Sequence, residues 1–234
     1  MDLLRSDEVS YIDELVEATG ASPSTIRRDI VSMETSGLVT ALRAGAVKAN
    51  ERLLELPAST KALINKNEKA KIAAAAARLV EDGDTIYIDS GTTALQMMQF
   101  LQNCRIHVVT SNTHVLAVAH DPKIRITMLA GEFLNDTGSV AGSLTERLLG
   151  DFFFDKSFLG ASGCSGRAGV NTFDIREATK KRIVHQNSRD CYVLLDSTKF
   201  GTSTLCKALE ISECRLITDE YHELLAQAKS YIIA

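Results

Sequence analysis

The stretch Thr85-Ile86-Tyr87-Ile88-Asp89-Ser90-Gly91-Thr92-Thr93 decides how this chain is read. Its first four residues are β-branched or aromatic and follow the turn signal Asp82-Gly83, so they form a short strand. A run this short with no polar alternation suits a strand covered on both faces. The chain then leaves the strand through small hydroxylated residues and one glycine, and passes directly into a helix over 92–101. At a helix start, backbone N–H groups lack intrahelical partners and the dipole is positive, so such a turn favours an anion, phosphate above all. Serine and threonine are also preferred helix caps whatever the function, so the turn gains weight only if it recurs.

It does recur. Upstream, a helix pattern begins at Glu68 with Ile72, the alanine run 73–77, Leu79 and Val80. Downstream, apolar runs at 106–110, 124–129, 157–160, 191–195 and 216–218 alternate with helical stretches at 113–119, 143–150, 176–187 and 221–228. Alternation of this kind predicts an α/β domain with a mostly parallel sheet and helices on both faces. In such sheets ligands sit beyond the carboxyl ends of the strands. Besides Asp89, Ser90, Gly91, Thr92 and Thr93, those ends carry Thr110, Ser111 and Asn112, and then Asp196-Ser197-Thr198-Lys199, which adds a carboxylate and a cation. Three such turns at equivalent strand ends point to a pocket. The stretch Gly163 to Gly169 reads as its rim or as a plain loop.

Ahead of this domain lies a smaller unit. Ser10 with Asp13 has the form of a capping box, and Ile12, Leu15 and Val16 recur at helical spacing until Gly20. Ser22-Pro23 restarts the chain with a capping serine and a proline at the first helical position. The inward stripe Ile26, Ile30, Met33 turns Ser24, Arg28 and Val31 outward, with Arg27 on the flank. Helix, glycine turn, helix is the helix-turn-helix arrangement, whose second helix reads DNA. The segments 38–42 and 46–48 flank Arg43-Ala44-Gly45 and form a small hairpin, a wing with Arg43 at its tip. The expected DNA contacts are Ser22, Ser24, Thr25, Arg27, Arg28 and Arg43. The expected organisation is a winged helix-turn-helix over 1–50, a linker over 51–67 and the α/β domain over 68–234.

Composition sets bounds on this reading. The 234 residues carry 26 Lys and Arg against 30 Asp and Glu, a net charge of −4, so the chain is not basic overall. Within the small unit, however, residues 22–50 hold four basic and two acidic side chains, whereas 1–21 hold one and six. Tyr11 is its only aromatic residue, which removes a stacking platform for single-stranded nucleic acid. Five scattered cysteines and five scattered histidines lack metal-ligand spacing, so neither a disulfide framework, a metal nor a cofactor is expected. No apolar run reaches the ~18 residues of a membrane span and the start lacks signal-peptide character, so the expected location is cytoplasmic, without a membrane partner.

The string Ser22-x-x-Thr25-Ile26-Arg27-Arg28-Asp29, followed by Gly37-Leu38 and a glycine-containing wing, resembles the DNA-binding head of the DeoR family of bacterial transcription regulators. Asp89-Ser90-Gly91-Thr92-Thr93, Thr110-Ser111-Asn112, Gly131, Asp155-x-x-Phe158-Leu159-Gly160, Glu177-Ala178, Asp196-x-x-Lys199-Phe200 and Ile217-Thr218-Asp219 extend the resemblance, in order, over nearly the whole chain. The resemblance implies a sensor similar in fold to sugar-phosphate isomerases. It also implies binding to double-stranded operator DNA as a homo-oligomer, control by a phosphorylated sugar, and a repressor of carbohydrate genes rather than an enzyme. Glu177 joins the expected effector contacts on this ground. The alternative is a sugar-phosphate isomerase with an added head, for which Asp89, Glu177 and Asp196 are the acid/base candidates.

Overall fold

The computed structural model describes residues 9–35, 39–49, 56–118 and 120–234. The chain divides between Thr60 and Lys61 into two units.

In the first unit, strand β1 (Val9–Tyr11) leads into helices α1 (Ile12–Thr19) and α2 (Pro23–Thr35), then strands β2 (Val39–Ala41) and β3 (Ala46–Ala49). Ser10 does not cap α1 as its spacing suggests. It lies in β1, paired with Val47 of β3, and the sheet ladder has taken its backbone. The helix starts one residue later, where the Tyr11 N–H donates to Glu14 Oε2 at 2.9 Å. Gly20 ends α1 in the left-handed conformation (φ 69°) that glycine adopts without strain, and its N–H returns to Val16 O at 2.9 Å. Ser22 caps α2 as expected, with Thr25 N donating to its Oγ at 3.2 Å. The wing is an antiparallel pair, β2 against β3, and β1 adds a third strand that the sequence did not signal. Leu15, Ile26, Ile30, Val39 and Val47 form the small core.

Helix α3 (Ala58–Leu63) runs across the division, and in the second unit α4 (Lys66–Ala77) precedes β4 (Thr85–Ile88), α5 (Thr92–Gln96), β5 (His107–Thr110) and β6 (Arg125–Met128). A hairpin, β7 (Glu132–Leu134) and β8 (Ser139–Ala141), then α6 (Ser143–Gly150) and β9 (Phe154–Gly160), follow. Next come β10 (Gly163–Ser165), β11 (Gly169–Thr172), α7 (Ile175–Gln186), β12 (Ser188–Leu194), β13 (Cys206–Leu209), β14 (Arg215–Thr218) and β15 (Ser230–Ile233). Thus part of the stretch read as linker is helical, 58–63 in α3 and 66–67 in α4, with a turn at 64–65 between them. The stretches expected as helices at 113–119 and 221–228 are single 3₁₀ turns, Thr113–Ala117 and Glu223–Gln227, and α5 stops at Gln96 before another such turn.

Seven strands form one parallel sheet in the order β15-β14-β12-β9-β4-β5-β6. Side chains alternate across it. Ile86, Ile88, Val108, Phe158, Leu194 and Ile217 pack with Ile72, Ala73 and Ala76 of α4 on one face. Tyr87, Val109, Leu159, Val193 and Leu216 pack with Leu149 of α6 and Ala178 and Val184 of α7 on the other. The glycine-rich stretch 163–169 is neither loop nor bare rim but the β10–β11 hairpin, extended by β13.

From β4 the chain proceeds to β5 and β6, whereas from β9 it proceeds the opposite way to β12, β14 and β15. The order therefore reverses between β4 and β9. A crevice opens beyond the carboxyl ends of strands at such a reversal, and it is where open parallel sheets bind ligands.

Candidate functional site

The crevice is built by the turns that leave β4 and β9. Gly91 and Gly160 approach so closely that a Cβ on Gly91 would lie 3.4 Å from the Gly160 Cα. Asp89 is fully buried at the end of β4, and its Oδ2 accepts from Gly160 N at 2.8 Å and from Lys181 Nζ at 2.5 Å. Ser90 Oγ donates to Glu177 Oε2 at 3.0 Å. Thr92 and Thr93 open α5, with Thr93 buried.

Glu177, Lys180 and Lys181 come from one face of α7, since residues three and four apart on a helix are neighbours. Lys180 Nζ lies 2.8 Å from Glu177 Oε1, and Lys181 Nζ lies 3.8 Å from Glu177 Oε2. Glu177 is 2% exposed and Lys180 0%. Lys180 also donates to Ser111 Oγ at 3.1 Å and to Val140 O at 2.8 Å, and Ser139 Oγ donates to Glu177 Oε1 at 2.8 Å. Burial alone raises the pKa of a carboxyl group. At Glu177 the two ammonium charges and their hydrogen bonds outweigh it and bring the group from 4.5 down to about 2.

The end of β5 joins the same cluster. Thr110 Oγ1 donates to Ile88 O at 2.6 Å, Tyr87 OH and Ser111 Oγ lie 3.1 Å apart, and Asn112 Oδ1 accepts from His114 N at 3.0 Å. Among the described residues, two buried polar atoms at these strand ends have no hydrogen-bond partner: Asp89 Oδ1 and Asn112 Nδ2. Buried polar groups are nearly always paired, so an orphaned acceptor and an orphaned donor mark a place for a hydroxyl-bearing ligand or water.

The loop after β12 supplies the third group. Asp196 is buried. Burial opposes its ionisation, but Lys199, the Thr198 hydroxyl, the Asn65 amide and Lys69 together hold its carboxyl below the ordinary range. Ser197 N and Oγ donate to Asp219 at 2.7 and 3.1 Å, which fixes this loop to the end of β14. Lys69, on α4, is buried as well; burial pulls its pKa down to about 8, opposed by Asp196 and aided by Lys199 and Lys61.

The residues named from sequence at the ends of β4, β5 and β12 thus share one edge of the sheet. Direct hydrogen bonds link the β4 and β5 groups through Glu177 and Lys180, whereas Asp196 and Lys199 form a second cluster with Lys69. Lys69, Lys180 and Lys181 were missed because a lysine in a charged helix reads as solvated. Their spacing carried a signal: Lys180 and Lys181 stand three and four residues after Glu177, and Lys69 stands three before Ile72 and seven before Ala76, on the inward face. Cys164, Cys191 and Cys214 are buried within the apolar core, where burial pushes their thiols up and keeps them protonated.

In the first unit, Ser22, Ser24, Thr25, Arg27 and Arg28 are all exposed at the start of α2. The Ser22 hydroxyl lies 2.8 Å from that of Ser24 and 2.9 Å from that of Thr25. Arg27 borders a shallow pocket shared with Tyr11, Ile12, Asp13, Ala44 and Gly45, so the flank of α2 adjoins the wing. Arg43 occupies the first position of the wing's tip.

A winged helix-turn-helix joined to an open parallel sheet with a polar strand-end crevice defines a sensor-coupled DNA-binding regulator. Residues 1–52 match the DeoR-like helix-turn-helix domain, and residues 64–220 match the DeoR C terminal sensor domain. The chain is 35% identical over 226 residues to the "Uncharacterized HTH-type transcriptional regulator FruR" of Bacillus subtilis (strain 168), covering 96% of this chain and 90% of that one. It is 31% identical over 205 residues to the "Lactose phosphotransferase system repressor" of Lactococcus lactis subsp. lactis (86% and 80%). It is 30% identical over 216 residues to the "Glycerol-3-phosphate regulon repressor" of Escherichia coli (strain K12) (91% and 84%). The chain belongs to the DeoR family and is a transcriptional regulator, not an enzyme.

Proposed function

We propose that this regulator is a cytoplasmic repressor of carbohydrate-metabolism genes, a homo-oligomer that holds double-stranded operator DNA with α2 and the wing and changes its DNA affinity when a phosphorylated sugar occupies the strand-end crevice. The observation that carries the proposal is the composition of that crevice. Lys180 and Lys181 stand among the β4 and β5 strand ends, where Asp89 and Asn112 carry orphaned polar atoms, and Lys69 and Lys199 stand beside Asp196 at the end of β12, a setting suited to an anion that also bears hydroxyl groups. The names of the lactose and glycerol-3-phosphate repressors support the same ligand class. In this reading the phosphate lies on the Ser90-Gly91-Thr92-Thr93 turn, where first-turn N–H groups lack intrahelical acceptors. Lys199 offsets its charge, and Asp89 or Asp196 orients the sugar hydroxyls. A ligand shifts DNA affinity only by binding the free and DNA-bound forms unequally.

The test is a thermal-shift screen against phosphorylated sugars, followed by calorimetry on Thr92→Asp. A ligand at 100 times its Kd adds ~2.7 kcal/mol, which raises Tm by about 5–10 °C for a unit of this size. The substitution sets a fixed negative charge where the phosphate belongs, so it abolishes effector binding and leaves DNA binding intact. If the turn is only a helix cap, the aspartate is tolerated in the first turn; wild-type effector affinity in the variant ends the phosphate assignment.

A further inference from the structure

The loop that carries Asp196 and Lys199 is held from two sides. On one side Ser197 is fastened to Asp219 at the end of β14. On the other, Asn65 reaches it from the turn between α3 and α4. Asn65 Nδ2 donates to Asp196 Oδ1 at 2.9 Å and to Thr198 Oγ1 at 3.2 Å. Thr198 Oγ1 donates to the same Asp196 Oδ1, so one carboxylate oxygen is the common acceptor of the loop and of the α3–α4 turn.

Asn65 has a backbone to match this task. Its φ of 50° is left-handed, a conformation asparagine tolerates better than most residues, and its carbonyl accepts the Lys69 N–H at 2.9 Å. A second tie runs beside the first. Lys69 Nζ donates to Lys61 O, which also accepts from Ile64 N at 3.3 Å. The last turn of α3 is therefore bound by the Lys69 side chain and followed directly by the turn that carries Asn65, and both side chains interact with Asp196.

We infer that Asn65 is the positioning residue through which occupancy of the sensor crevice reaches the segment leading to the DNA-binding head. The inference rests on the reading that a sugar phosphate occupies that crevice. An anion arriving beside Lys199 and Lys69 changes the charge balance around Asp196. The hydrogen bonds to its Oδ1 then readjust. The Asp219 anchor fixes the far side of the loop, so the displacement passes to the side that yields, the α3–α4 turn. Residues 58–60, covalently continuous with the first unit, follow that turn.

The full-length protein, its Asn65→Gly variant and its Asn65→Asp variant are titrated onto a labelled fragment of the gene's own upstream region, with and without saturating fructose 6-phosphate or glycerol 3-phosphate. Calorimetry measures the binding of the same two compounds. Glycine keeps the left-handed turn without strain and removes only the amide. Aspartate keeps the size and sets a carboxylate against Asp196. In the wild type, a compound that binds shifts DNA affinity about 5–150-fold. Both variants still bind that compound, but the shift falls below about twofold. A full shift in Asn65→Gly overturns the inference. So does loss of compound binding in both variants, because Asn65 is then part of the pocket rather than of the connection. Failure of the wild type to bind either compound is a separate result; it overturns the sugar-phosphate reading first and this inference with it.

Discussion

Glu177→Gln removes the carboxylate that two lysines share, and its cost follows from the geometry. Lys180 is fully buried, and among the described residues its only carboxylate within ion-pair distance is Glu177, at 2.8 Å. After the substitution its ammonium keeps Ser111 Oγ and Val140 O, which carry no compensating charge. Lys181 retains Asp89. Stripping one partner from a buried ion pair costs ~3–5 kcal/mol. The pH linkage gives a similar figure. A carboxyl group moved from 4.5 to about 2 contributes about 3 kcal/mol at neutral pH. Because the folded-state pKa is depressed, this stability is fully present above about pH 4.5 and is lost as pH falls toward 2. At 2–4 °C per kcal/mol for a unit of this size, Tm drops by roughly 6–20 °C. Denaturant unfolding at several pH values is the assay. The wild type loses stability between pH 4.5 and 2 more steeply than Glu177→Gln, and adding Lys180→Met to the variant restores part of the loss, a coupling of ~1–3 kcal/mol. A loss under about 1 kcal/mol at neutral pH, or parallel acid profiles for the two proteins, would refute the account.

Three further outcomes are expected. Arg28→Ala weakens operator binding by ~1–3 kcal/mol and relaxes preference at one base pair if Arg28 is bidentate to guanine, whereas a phosphate contact weakens all sequences alike and flattens the salt dependence; unchanged affinity in both Arg27→Ala and Arg28→Ala would remove this face from the DNA. Ala44 has φ 61° and ψ 29°, a left-handed conformation that costs an alanine ~1–2 kcal/mol, partly offset by the greater entropy glycine loses on folding. Ala44→Gly therefore stabilises the first unit by about 0.5–1 kcal/mol, read as a higher melting midpoint for that unit, and a lower midpoint would contradict the strain. Hydrogen exchange is faster in α1 and α2, over a core that has five buried side chains among the described residues, than in β4 near the centre of the seven-stranded sheet, and equal protection in the two would be the contrary result.

Local chemistry made the broad plan legible. Capping at Ser22, the glycine turn at Gly20 and the 26–30–33 stripe specify two helices and their turn, because each is a rule acting over a few residues. The strands at 85–88, 107–110 and 215–218 were marked by short apolar runs bounded by polar turns. Apart from the wing, the antiparallel pieces escaped notice. β1, β7, β8, β10, β11 and β13 are three or four residues long and lack the unbroken apolar run that marked the equally short β4, β5 and β14, so their pairing with another strand is what defines them.

By itself, then, the sequence determined the class of each long element, the turns at the strand ends and the family to which the chain belongs. What only the tertiary structure decided is the company those turns keep. Lys180 and Lys181 read as surface charges until α7 packs on the sheet, which buries both beside Glu177 and brings Lys181 onto Asp89. Asn65 reads as a linker residue until it meets Asp196, 131 positions away. A lysine's or asparagine's hydrogen-bonding groups are the same in water as in a core. Whether they face solvent or a buried carboxylate depends on contacts between segments far apart in the chain, which no local pattern encodes.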